Sequence, residues 1–254
     1  MIGVDRFIER VNGEFPGDRV TYQKSLPTFH PQSGDEAARL FGLATEMKQQ
    51  LYITGFGNNI SPEGEKFKDL VVIRTDRLNQ LVRVMPEDFY VVAGAGYPLK
   101  ELNLRLKKHN LFFPHADLPY VGSVGGALAT GLTADYGGHD LPISRYFIMA
   151  EIGLPGGKLI KPGSACFKSV SGFDIVKIFS PSWGLLGLIV TACLRVLPTS
   201  LAEDYAGLKM QSIEYEQFVD LFQNPGDNVS AQYSLKIKSK FDPQNNLPLI
   251  DIFH

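Results

Sequence analysis

The stretch LPYVGSVGGALATGLTADYGG, Leu118 to Gly138, constrains the fold of this chain more than any other segment. Side chains this small cannot fill a core by themselves. They let one backbone approach another, or let a ligand touch the main chain directly. Gly125-Gly126-Ala127 has almost no bulk, so a flat or charged ligand could rest there. Tight packing of a helix on a sheet would call for the same residues, and the stretch alone leaves both readings open.

Two other glycine-bearing bends compete for the same role. TGFGNN, Thr54 to Asn59, follows the strand-like run Leu51 to Ile53. Gly and Asn tolerate positive φ, so successive N–H groups can turn inward as an anion nest. Such loops are also ordinary turns. YVVAGAGYPLKELN, Tyr90 to Asn103, begins like a dinucleotide-binding turn. Gly94 and Gly96 fit that fingerprint, but its third position is Leu99. The acidic residue it needs about twenty positions on would be Asp117, which falls in a Pro-flanked loop. The element order is not βαβ either, so this bend reads as scaffold.

Hydrophobic periodicity sets the order of elements. Ile2 to Val11 reads as a short helix. Ser33 or Asp35 caps a second one, with Ala37, Leu40, Phe41, Ala44 and Met47 on one face. Strands follow at Leu51–Ile53 and Asp69–Thr75, then a pair turning at Pro86-Glu87-Asp88. A helix runs from Pro98 to its stop at Asn110. YFIMAEIGLP and GKLIKPG flank a Pro-Gly-Gly turn, and SWGLLGLIVTACLRVLP closes the region as a strand. Beyond Ser200 the pattern predicts a strand and a helix in AGLKMQSIEYEQFVDLFQNP. SAQYSLKIKS alternates like a strand, which would put Lys236, Lys238 and Lys240 on one face, as a solvated edge or a docking face.

Composition narrows the function. Hydrophobic residues at 44% and charged ones at 20% suit a sizeable core. A formal net charge of −2 provides no field for nucleic acid or an anionic membrane. GLLGLIVTACL is too short to span a bilayer, and no signal peptide is visible, so a cytoplasmic location is expected. Cys166 and Cys193, widely spaced among apolar residues, read as reduced thiols. No Cys/His spacing suits zinc or an iron–sulfur cluster, and neither an ATP-binding P-loop nor a Gly-x-Ser-x-Gly elbow occurs.

The ordered set of pieces is more specific than any one. The capped helix at Pro31, the bend TGFGNN, the run from Asp69 to Pro114, GSVGG, and KSVSGFDIVKIFSPSWGLLGLIVTACLRVLP together resemble the FAD-binding domain of the vanillyl-alcohol-oxidase/para-cresol-methylhydroxylase (PCMH) superfamily. Within it the chain resembles the glycolate oxidase flavoprotein subunits, the smaller FAD-binding one especially. The resemblance covers about residues 31–198.

That resemblance implies an α+β fold: a PCMH-type FAD-binding domain of two α+β subdomains over residues 1–198, breaking near 90–97. A short, truncated α+β cap would occupy 199–254. It places Thr54, Gly55, Phe56, Gly57, Asn58 and Asn59 on the FAD diphosphate, and Gly122, Ser123, Gly125 and Gly126 along the diphosphate and ribityl chain. Ala129 and Thr130 would approach the flavin, and Ile189 the adenine. Asn58 and Asn59 stand where some relatives carry a flavin-linked His, so non-covalent FAD is expected. Trp183 and Leu185 replace the Glu and Thr of many relatives. No catalytic base stands out. His139 is the best candidate against a plain loop histidine, followed by Tyr136 and Arg145. His30 and His115 read as local hydrogen-bonding groups.

The implied function is that of an FAD-binding subunit of a 2-hydroxy acid (glycolate- or lactate-type) oxidase or dehydrogenase. Electrons would pass from a small 2-hydroxy acid through the flavin to a partner, such as a second flavoprotein subunit or an iron–sulfur electron acceptor subunit. Two alternatives stand beside it: a non-catalytic structural or electron-transfer partner, and a stand-alone flavin reductase of the same fold.

Overall fold

The computed structural model describes residues 2–164, 175–211, 214–224 and 226–252. The chain starts with helix α1 (Ile2–Glu14), the hairpin β1 (Val20–Gln23) and β2 (Leu26–Phe29), and helix α2 (Gly34–Met47). Strands β3 (Leu51–Thr54) and β4 (Val71–Arg74) complete a sheet of order β1-β2-β4-β3, in which β4 runs parallel to both β2 and β3. α2 begins where expected: Ser33 Oγ accepts from the Glu36 amide at 3.2 Å, supplying one orphan donor of the first turn with a partner. Its apolar face meets Phe7, Val11, Phe29, Leu51 and Ile73 in one buried cluster.

The second half is built on β5 (Leu81–Met85) and β6 (Tyr90–Gly94), which turn at Pro86–Phe89. Helix α3 (Leu102–Leu106) sits between single 3₁₀ turns and stops at Asn110, whose φ is 56°. Then come β7 (Leu111–Phe112), helix α4 (Val124–Thr130), the hairpin β8 (Thr133–Tyr136) and β9 (His139–Pro142), β10 (Phe147–Leu154) and β11 (Lys158–Ile160). β12 (Leu188–Arg195) inserts between β10 and β6, giving an antiparallel sheet of order β11-β10-β12-β6-β5. Leu188 and Val190 face the first core, while Ile189, Ala192 and Leu194 face the second. A strand buried on both sides reads as an unbroken apolar run, which is why GLIVTACL has no polar alternation.

After β13 (Leu197–Pro198) and β14 (Lys209–Gln211) the chain ends in α5 (Tyr215–Gln223) and α6 (Val229–Phe241). α6 corrects the expected strand. Asn228 caps it, its side chain accepting from the Ala231 amide at 3.0 Å, and Lys238 lies buried against Asp242 one turn on. Of the three lysines read as one solvated edge, Lys238 is therefore inside. Residues 243–252 return to the first sheet. Asn246 donates to the carbonyls of Ala44 and Gln49, both at 3.2 Å, and accepts from the Leu51 amide at 2.7 Å.

Among the described residues no helix is long and apolar enough to cross a membrane, and no cluster of His, Cys, Asp or Glu could hold a metal ion. Cys193 is buried, and burial pushes its thiol up to about 12, so it is an inert core residue. Cys166 lies outside the described residues, as does all of KSVSGFD, residues 168–174.

Candidate cofactor-binding cleft

β3 ends at Thr54, at the carboxyl edge of the parallel strands, and the chain bends there through TGFGNN. Gly57 takes φ 78°, a conformation that favours glycine. Among the described residues, none of the amides from Gly55 to Asn59 donates to a protein acceptor. The turn at Gly94-Ala95-Gly96 is the opposite case. Its three amides donate to Gln80, Val190 and Leu78 carbonyls at 2.8, 2.9 and 2.9 Å. With its donors consumed by the sheet, that turn is scaffold, as its sequence indicated.

The second bend faces the first. Ser123 Oγ caps α4 by accepting from the Gly126 amide at 3.1 Å, and a Cβ on Gly55 would lie 2.9 Å from that oxygen. Asn58 Nδ2 donates to the Val121 carbonyl at 3.0 Å, tying bend to bend. The far end of α4 is tied to the segment before β12: the amides of Ser182 and Trp183 donate to the Ala129 carbonyl at 3.0 and 2.9 Å. Together these elements line one open cleft, whose empty space with the solvent at its mouth included is about 750 Å³. Thr54, Gly55, Phe56, Gly57, Asn58, Asn59, Gly122, Ser123, Gly125, Gly126, Ala129, Thr130 and Ile189 all line it.

Lysine, arginine, histidine and carboxylate side chains are missing from the lining among the described residues. The titratable groups there are two phenols. Burial pushes Tyr52 up strongly and Tyr120 up to about 12, so both stay neutral at ordinary pH. Tyr120 was not legible in the sequence. Its ring covers Gly122, where a Cβ would fall inside the phenol, and its oxygen lies 2.9 Å from the Cβ position of Gly126. These two glycines are therefore bare partly for an aromatic ring. Thr75 Oγ1 and Trp183 Nε1, on two further lining residues, are buried without a hydrogen-bond partner. Unpaired buried polar atoms are rare in native proteins and call for an explanation.

The weaker candidates sit elsewhere. His139 is exposed at the start of β9, paired with Tyr136, outside the lining. Tyr136 stacks on Tyr205 with centroids 5.2 Å apart, and Arg145 is exposed. His30 makes distant rather than local bonds, with Nδ1 2.7 Å from Asp76 and Nε2 2.8 Å from Thr21. His115 is buried with Nε2 2.8 Å from the Leu141 carbonyl, and burial pushes it down to about 4.

A run of unpaired amides, side-chain-poor walls and unsatisfied buried polar atoms in one cleft fits an extended anionic dinucleotide. The fold recurs among solved structures. A solved alkyldihydroxyacetonephosphate synthase superposes with a TM-score of 0.61 at 20% identity, over 76% of this chain and 41% of that one. The profile described as "FAD binding domain" matches residues 27–163, more than half of the chain. The chain belongs to this FAD-binding family, with the expected PCMH-type α+β architecture, and its cofactor is FAD.

Curated relatives include the D-lactate dehydrogenase of Archaeoglobus fulgidus, 27% identical over 66% of this chain and 38% of that protein. The glycolate oxidase subunit GlcD of Bacillus subtilis is 22% identical over 71% of this chain and 39% of its own length. The D-2-hydroxyglutarate dehydrogenase of Pseudomonas putida is 31% identical over 82% of this chain and 26% of that protein. The chain spans less than half the length of each.

Proposed function

We propose that this chain is the FAD-carrying part of a 2-hydroxy acid oxidase or dehydrogenase of glycolate or lactate type, acting in the cytoplasm. The observation that carries the reading is the convergence of two side-chain-poor bends, 54–59 with its unpaired amides and 122–126, on one cleft. The names of the relatives point the substrate class the same way.

In this reading the Gly55–Asn59 amides would donate to the diphosphate, with Gly122, Ser123, Gly125 and Gly126 forming the side-chain-poor wall along the diphosphate and ribityl chain. Ala129 and Thr130 line the flavin end, and Ile189 supplies an apolar wall at the adenine. Among the described residues the lining holds no histidine for a histidyl bond to the flavin, and in this reading FAD is held non-covalently. Bound FAD supplies the acceptor for the substrate hydride. The chain's own residues bind and orient it, and the neutral phenols of Tyr52 and Tyr120 do not take up a proton. Oxidising an alcohol also needs a base. Among the described residues the lining contains no carboxylate, histidine, lysine or arginine to act as one.

A second reading makes the chain a structural or electron-transfer partner of a catalytic flavoprotein subunit. We further propose that residues 1–198 form the cofactor domain and 199–254 an appended unit that packs back on it, and that electrons leave to a second flavoprotein or iron–sulfur subunit. The purified protein should be yellow and release FAD on heating. Anaerobic bleaching by glycolate or D-lactate supports the first reading. Yellow protein that neither acid bleaches supports the second, and colourless protein that refuses added FAD sinks the flavoprotein assignment.

A further inference from the structure

We infer that Arg74 is a positioning residue for the cofactor diphosphate, acting through the peptide that joins Phe56 to Gly57. Arg74 ends β4 and is not part of the cleft lining. Its Nη2 donates to the Phe56 carbonyl at 3.1 Å, and its Nη1 donates to Gln23 Oε1 at 2.6 Å. Its Nε lies 3.7 Å from Asp76 Oδ2, and the other oxygen of Asp76 is held by His30 at 2.7 Å. The guanidinium is thus held by a hydrogen bond to β1 on one side, while the Asp76 carboxylate in the turn after β4 faces its Nε beyond hydrogen-bond distance on the other.

A trans peptide is planar, so its C=O and the following N–H point in opposite directions. With the Phe56 carbonyl drawn to Arg74, behind the cleft, the Gly57 N–H is turned toward it. The φ of 78° at Gly57 permits this orientation. Without the guanidinium the peptide is free to flip, which would present a carbonyl oxygen to a phosphate. The inference rests on the FAD reading above. It adds a fixed cation behind a nest whose lining carries none, and a direction for one of its donors.

The test uses the full chain stripped of cofactor, titrated with FAD, ADP and adenosine. Losing a hydrogen bond that organises a charged site costs roughly 10- to 100-fold in affinity. R74M should therefore weaken ADP and FAD by about that factor while adenosine, which has no phosphate, changes by less than about threefold. R74K keeps the charge but not the planar fork, and should fall between. Parallel losses for ADP and adenosine, or no loss for either, overturn the inference while leaving the FAD reading standing. Wild-type protein that takes up none of the three overturns both. Should R74M fail to fold, R74K carries the test: ADP weakened and adenosine retained supports the assignment, and unchanged ADP affinity overturns it.

Discussion

The Gly125 amide donates to the Ala95 carbonyl at 2.8 Å, and a Cβ on Gly125 would lie 2.6 Å from the Cβ of Ala95. The glycine tract and the Gly94-Ala95-Gly96 turn are thus two halves of one contact, which sets α4 against the sheet and holds the cleft open. G125A should cost about 1–3 kcal/mol by overpacking and lower FAD uptake. A95G/G125A removes the opposing methyl and should recover part of both. Urea unfolding and flavin stoichiometry check this. A double variant no better than G125A would mean that the clash lies elsewhere.

Trp183 is the single tryptophan of the chain and lines the cleft, with the ring of Tyr215 on α5 tilted against it, centroids 4.8 Å apart. Its fluorescence is therefore a private reporter of occupancy. Titrating cofactor-stripped protein with FAD should quench it in step with binding, and W183F should abolish the signal while the protein still turns yellow. Saturable flavin uptake with unchanged tryptophan emission would place the dinucleotide away from this wall.

His115 couples stability to pH. Burial pushes its imidazole from 6.5 down to about 4, so the unfolded chain binds the proton more readily than the folded one. The stability it contributes is complete above pH 6.5 and lost as pH falls toward 4, by at most about 3 kcal/mol. H115Q should flatten the dependence of the urea midpoint between pH 6.5 and 4. An equal slope in wild type and variant would assign the acid sensitivity to other groups.

The parts of the fold legible in the sequence were those written in local signals. The Ser33 cap, the Pro86–Asp88 turn, the Asn110 stop and the apolar run of β12 all appear as read. The β1–β2 hairpin did not, because its turn is made by Lys24 and Ser25, with φ of 49° and 68°, and not by the Asn-Gly or Asp-Gly that marks such turns. The cleft's main-chain donors could be read from glycine and asparagine spacing. Tyr120, Thr75 and Trp183 could not, since only the folded chain brings their side chains to those bends. α6 was misread because Tyr233, Leu235 and Ile237 alternate with polar residues. Tyr233 is in fact 59% exposed, and the buried positions Ala231 and Lys238 are seven residues apart, two helical turns.

The last helix ends on the pair Lys238–Asp242, which also fastens the C-terminal segment. The Asp242 carboxylate takes Lys238 Nζ and the amides of Asn246 and Leu247, both at 2.8 Å, while among the described residues the Lys238 ammonium has Asp242 alone. The two substitutions should therefore be unequal. D242A strands a buried ammonium, already pushed down by burial, together with two amides. It should cost about 3–5 kcal/mol. K238M leaves the carboxylate its two amide donors and replaces the lysine stem with an apolar one, so its cost should be smaller. Urea unfolding gives the difference, and protease cleavage within 243–252 should accelerate in D242A first. Equal costs for the two variants would show that the amide bonds to Asp242 contribute nothing to holding the segment on Ala44 and Leu51.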